Sequence, residues 1–147
     1  MSSTERVPES ASTLSSLTSP AVRGGVRVWL HVEAAAALAV TLVLYSRTGS
    51  SWGTFGALFL APDLALLGYL FGARAGAAAY NAVHSYAGPL GLTAIGLLGP
   101  AAVLPYALIW LAHCSLDRAV GYGLKYSTAA RFTHLGLRGG QRRPATA

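Results

Sequence analysis

An all-α, four-helix transmembrane bundle, running up and down with both termini cytoplasmic, is the fold this sequence predicts. Three observations carry that prediction. Four apolar stretches, 28–46, 52–72, 75–97 and 101–121, each approach the roughly 20 residues a helix needs to cross a bilayer. The connections between them are short, so successive helices should be antiparallel neighbours. Hydrophobic residues make up 53% of the chain and charged ones only 11%, with a mean hydropathy of +0.47, whereas a soluble domain carries about 25% charge.

Residues 1–26 are rich in Ser, Thr and Pro and lack apolar periodicity, the composition of a disordered tail. The first span follows Arg23 and Arg27. It is longer than the core of a secretory signal and has no small-x-small cleavage pattern after Tyr45, so it reads as an uncleaved helix. Span two carries Pro62 and span three carries Pro89, each removing a backbone donor and bending its helix beside a polar residue. Gly68, Gly72, Gly76 and the run Ala77 to Ala79 form a stripe of small residues along which helices can approach closely. Span four ends near Gly121 and Gly123. Beyond it, Lys125, Arg131 and Arg138 are placed to meet anionic lipid headgroups. The membrane domain thus covers 27–138, and 139–147 form a basic flexible tail.

Charge sets the orientation. With an even number of spans, ten of the eleven basic residues fall on the side of the termini and only Arg47 on the other. By the positive-inside rule that side is cytoplasmic, and the chain is expected in the cell (inner) membrane. Trp29, Tyr45, Trp52, Tyr69, Tyr106 and Tyr122 lie near the span ends, where amphipathic rings favour the interface. The excess of positive charge flanks apolar segments instead of interleaving with aromatics, so membrane lipids are the expected partners and nucleic acid is not. Cys114 is the single cysteine, which excludes an internal disulfide; a small buried hydrophobe is its expected role.

Ionisable residues inside apolar helices are expensive and usually face a bundle interior, a cavity or one another. Asp63 and His84 each lie about 14 Å from the cytoplasmic ends of their spans, at about 1.5 Å per residue. His113 lies about 12 Å in, Asp117 about 6 Å and Glu33 about 9 Å by the same rise. All four helices therefore deliver polar groups to one half of the membrane. His113 and Asp117, four residues apart, project from one helix face. Asp63, His84, His113 and Asp117 are the candidate metal ligands, and Glu33 and Asp117 the candidate catalytic carboxylates. Tyr80 and Asn81 share enough of the face of His84 to support a ligand, and His134 becomes a further candidate if its segment folds back over the cytoplasmic mouth. His31, two residues from Glu33, cannot share its face and is expected to be structural.

The segments APDLALLGYLFG (61–72), YNAVHSYAGPL (80–90), WLAHCSLDRAVGYGLKY (110–126) and FTHLG (132–136) resemble a small bacterial membrane family, the domain of unknown function 4260, over about residues 27–138. More distantly, the order Pro-Asp, then His, then His-x-x-x-Asp is similar to the membrane-bound metal-dependent hydrolases. That resemblance implies Asp63, His84, His113 and Asp117 as ligands of a divalent metal. The chain lacks the adjacent His-Arg and Thr-His-Ser elements of that group, having Tyr80, Asn81 and Ser85 around its His84.

Three functions follow from these residues. The first is hydrolysis of a lipid or lipid-linked substrate by zinc or manganese bound to the His and Asp side chains. The second is a small transporter or proton relay, in which Asp63, His84 and His113 titrate without a fixed metal and the short helices form a homo-oligomer. The third is a structural membrane protein whose polar groups lock helix register. A Ser-His-Asp hydrolase fits these residues poorly, because Ser85 falls on a different face from its neighbour His84 and no oxyanion donor can be placed, and there is no glycine-rich phosphate loop.

Overall fold

The computed structural model describes residues 22, 24–126, 129–133 and 135–137. The expected tails, 1–26 and 139–147, fall mostly outside these residues, as do His134 and Arg138. Four helical segments make up most of the described chain. The first is α1, Gly25–Arg47. The second is α2, Trp52–Phe59, continued by a 3-10 helix, Ala61–Phe71. The third is α3, Ala73–His84, followed by α4, Ala87–Leu98. A short 3-10 turn, Ala101–Val103, leads into α5, Leu104–Ala119, the fourth.

α5 is the centre of the molecule. Ala107, Leu108, Ile109, Ala112, His113, Cys114 and Ser115 are all buried on it, and α1, α2 and α4 pack around it. Its Leu108 and Ile109 meet Tyr45, with Phe55, Phe59 and Leu104 closing the cluster. α1, in contrast, buries only Ala34, Thr41 and Tyr45, a single narrow face, and leaves Val28, Val32, Val40, Val43 and Leu44 outward. An outward apolar surface of this kind suits lipid and not water. Among the described residues two helices, Gly25–Arg47 and Trp52–Phe71, are by length and composition apolar enough to cross a membrane.

The structure corrects the expected spans in three places. Span two is not one α-helix: Pro62 cannot donate a backbone bond, and the chain tightens there into eleven residues of 3-10 helix. Span three breaks at Ser85, which is extended at ψ 151°, and span four is shortened to 16 residues by Pro105 in its first turn. The break in span three has a steric cause. A proline ring collides with the carbonyl four residues earlier, and four before Pro89 is Ser85. Pro89 itself is then accommodated in the first turn of α4, where its missing N–H costs nothing.

Breaking a helix frees carbonyls, and in an apolar setting each must find a donor. Side chains of α5 supply them. The Trp110 indole N–H donates to the Val83 carbonyl at 2.6 Å, the Cys114 thiol reaches the same oxygen at 3.6 Å, and Arg118 Nη2 donates to the His84 carbonyl at 3.2 Å. The sequence-level role of Cys114 as a small buried group is thus kept, with a weak hydrogen bond added.

The 3-10 helix folds back on α3 about Gly72, whose φ of 101° favours glycine. The small residues predicted to allow close approach do so here. A Cβ on Gly76 would lie 2.3 Å from the Tyr69 ring, and one on Gly68 would lie 2.9 Å from the Ala79 Cβ. After α5 the chain forms strands, which the sequence pattern did not predict. Residues Lys125–Tyr126 (β1), Ala129–Thr133 (β2) and Gly136–Leu137 (β3) form a small antiparallel sheet in the order β1-β2-β3. Leu135, between β2 and β3, is buried. His31 is structural as expected: its Nδ1 lies 3.0 and 2.9 Å from the carbonyls of Arg118 and Ala119, at the end of α5.

Candidate metal centre

Four of the predicted ligands converge. His84 at the end of α3, His113 in the middle of α5 and Asp63 in the first turn of the 3-10 helix bring one ligand atom each within 4.8 Å of the others. His113 Nε2 lies 3.2 Å from His84 Nε2, and Asp63 Oδ1 lies 3.5 Å from His84 Nε2 and 3.7 Å from His113 Nε2. Asp117, one turn beyond His113, brings Oδ2 to 3.8 Å from His84 Nε2 and 4.0 Å from His113 Nε2. The imidazoles are buried, the Asp63 side chain is 40% exposed and that of Asp117 18% exposed, so the cluster has a dry wall and an open side.

Local structure fixes how the rings point. His84 Nδ1 lies 2.9 Å from the Tyr80 carbonyl, one helical turn back. A carbonyl only accepts, so Nδ1 carries a proton, and in the singly protonated ring Nε2 is left bare toward the cluster. This is the arrangement by which a second partner orients a metal-binding histidine. With His84 Nε2 bare, the 3.2 Å approach of His113 Nε2 is either a hydrogen bond donated by His113 or two lone pairs meeting on one cation. Tyr80 also stacks on the His84 ring, centroids 3.7 Å apart, and its hydroxyl donates to Asp117 Oδ2 at 3.1 Å. Phe59 closes the apolar side with its ring edge against His113, 5.4 Å between centroids.

The geometry can be tested against a metal. A tetrahedral zinc ion with bonds of about 2.0–2.1 Å holds its ligand atoms about 3.3–3.4 Å apart. The three separations among His84, His113 and Asp63 bracket that edge, so an ion fits among them with only small movement. Asp63, His84 and His113 would leave such an ion one open position, with Asp117 next to the three donors.

Glu33 is placed elsewhere. It is exposed on α1 and lines a separate cavity of about 240 Å³ with Leu30, Ala34, Ala37, Tyr86, Arg118 and Leu135. The structure does not bring it to the His and Asp cluster. Asn81 supports the site indirectly: its side-chain amide donates to the Lys125 carbonyl at 2.8 Å, and its Oδ1 accepts from the Lys125 N–H at 2.7 Å. That two-pronged clip ties β1 to α3.

Lys125 is the site residue the sequence reading missed. Held by Asn81, it places its ammonium 3.9 Å from the centroid of the Tyr80 ring and 5.2 Å from that of Tyr69. Burial lowers its pKa from the ordinary lysine value, while the carboxylates of Asp117 and Asp63 pull it back up. Its one sequence signal is position, four residues past the Gly121 turn that ends the Asp117 helix.

Residues 27–137 match the family described as domain of unknown function 4260. The chain belongs to this family. The whole His and Asp cluster, Tyr80, Asn81 and Lys125 lie within the matched region. No curated protein and no solved structure matches the chain. The family description assigns no activity, so the chemistry rests on the geometry.

Proposed function

We propose that this family member is a multi-pass protein of the cell membrane, with both termini cytoplasmic, that binds zinc or manganese at Asp63, His84 and His113 and hydrolyses a lipid or lipid-linked substrate. The observation that carries this reading is the set of 3.2, 3.5 and 3.7 Å separations among the three donors, matched to one ion. Two imidazoles and a carboxylate suit zinc, and extra carboxylate at Asp117 suits manganese. A bound ion of this kind lowers the pKa of water and polarises an ester oxygen. The side chains account for the remaining steps. Asp117, steadied by the Tyr80 hydroxyl, accepts the proton of the attacking water as its oxygen bonds to the acyl or phosphoryl centre. As the ester bond breaks, Asp117 returns that proton to the departing alcohol oxygen. Its place beside the fourth position makes it a better base than Glu33, which lines another cavity. The likeness of Pro62-Asp63 and His113-x-x-x-Asp117 to the membrane-bound metal-dependent hydrolases supports a metal at this cluster.

Asp117→Asn separates catalysis from metal binding. The variant is expected to keep its zinc and to hydrolyse a chromogenic p-nitrophenyl ester or phosphate about 100-fold more slowly than wild type, within the range for losing a general base. Undiminished turnover would remove Asp117 from the chemistry. One observation favours a second reading, a proton relay: the 3.2 Å contact of two imidazoles behind a half-exposed Asp63 makes a chain of titratable groups. A wild type that carries protons and holds no metal would select it.

A further inference from the structure

An apolar groove and a lysine lie near the His and Asp cluster. Beside the cluster is an apolar groove of about 340 Å³ whose walls include Leu58, Pro62, Val83, Leu92, Ile109 and Trp110. Pro62 and Val83 directly precede Asp63 and His84 in the chain, so on two elements the groove lies one residue from the cluster. Trp110 is braced by its bond to the Val83 carbonyl. Along the fourth helical segment and beyond it, the groove residues Ile109 and Trp110 come first, then His113, then Asp117, then Lys125. At about 1.5 Å per residue, His113 is about 6 Å from Ile109 and Asp117 about 6 Å further.

Charge makes the polar end specific. A divalent ion would cancel the charges of Asp63 and Asp117, leaving two nearby cations: Arg118, committed to the His84 carbonyl, and Lys125, over the Tyr80 ring. Lys125 is held there by the Asn81 clip on its backbone and by the Tyr80 ring, which also contacts His84 and Asp117. A lysine ammonium is a point-charge partner for phosphate. We infer that the site takes a lipid carrying a phosphate ester, with the phosphate between the metal position and Lys125 and one acyl chain in the groove. This rests on the metal-site reading above and names the substrate class for it.

The test is titration of the zinc-treated full chain in detergent with dioleoyl phosphatidate, dioleoylglycerol and dihexanoyl phosphatidate, with zinc content measured on each protein. Wild type is expected to bind dioleoyl phosphatidate at least about tenfold more tightly than dioleoylglycerol, a gain of about 1.4 kcal/mol. Lys125→Met should abolish that preference with zinc content unchanged, and Lys125→Arg should restore most of it. Leu92→Trp, which fills the groove from α4, should weaken dioleoyl phosphatidate and leave dihexanoyl phosphatidate unaffected. Equal phosphatidate affinity in wild type and Lys125→Met overturns the assignment whether or not zinc is held. Equal affinity of wild type and Leu92→Trp for the long-chain lipid overturns the groove. Absence of zinc from wild type defeats the metal reading instead, and is read independently of both.

Discussion

His113→Ala is expected to lower zinc affinity by at least about 100-fold while the helices remain folded. Losing an outer partner of a metal-binding histidine already costs about 10–100-fold, and His113 supplies a donor itself. It is also well enclosed, because it sits in the middle of α5, buried, with Phe59 on one side and His84 on the other. Truncation leaves a cavity in the core helix, so a companion variant guards the result. Asp63→Asn changes a half-exposed residue by a single atom and keeps a hydrogen-bonding oxygen. Both should lose zinc in equilibrium dialysis and both should stay monodisperse in detergent. If either folded variant retains wild-type affinity, its residue is not a ligand.

The second large effect is remote from the donors. Gly76→Leu should lower the melting temperature in detergent by roughly 5 °C or more, since overpacking costs typically about 1–3 kcal/mol. A Cβ at this position would stand 2.3 to 2.6 Å from three atoms of the Tyr69 ring, including Cγ, which a ring flip cannot move away. The damage should reach the metal as well, because the packing of α3 on the 3-10 helix is what holds His84 against Asp63. Zinc affinity should fall although every donor is intact. Gly91→Leu is the control: it lies in α4 with open space around its Cβ position and should leave both quantities near wild type. Equal behaviour of the two leucine variants would mean that the α3 contact does not hold the site.

The fold was legible where it depends on composition. Apolar runs located all four helical segments, and depth along them was enough to gather Asp63, His84, His113 and Asp117. Depth says nothing about rotation, and this is where Glu33 departed: the inward face of α1 is marked by Ala34, Thr41 and Tyr45, and Glu33 stands about 100° from Ala34. Pro89 signalled a bend, but the break falls at Ser85 because the clash is with the carbonyl four residues earlier. The sheet from Lys125 was hidden because its anchor, the Asn81 side chain, is 44 residues away in sequence. For the same reason Lys125 read as a headgroup contact and not as part of the site.

The central claim is that two histidines and an aspartate hold one ion. X-ray absorption at the zinc edge, on wild-type protein dialysed against zinc in detergent, tests it directly. The expected spectrum has about two imidazole nitrogens with their outer-shell carbons and one or two oxygens, all at about 2.0–2.1 Å, from one zinc per chain. A folded protein that retains no zinc, or a spectrum with sulfur from Cys114 in place of imidazole, would contradict it.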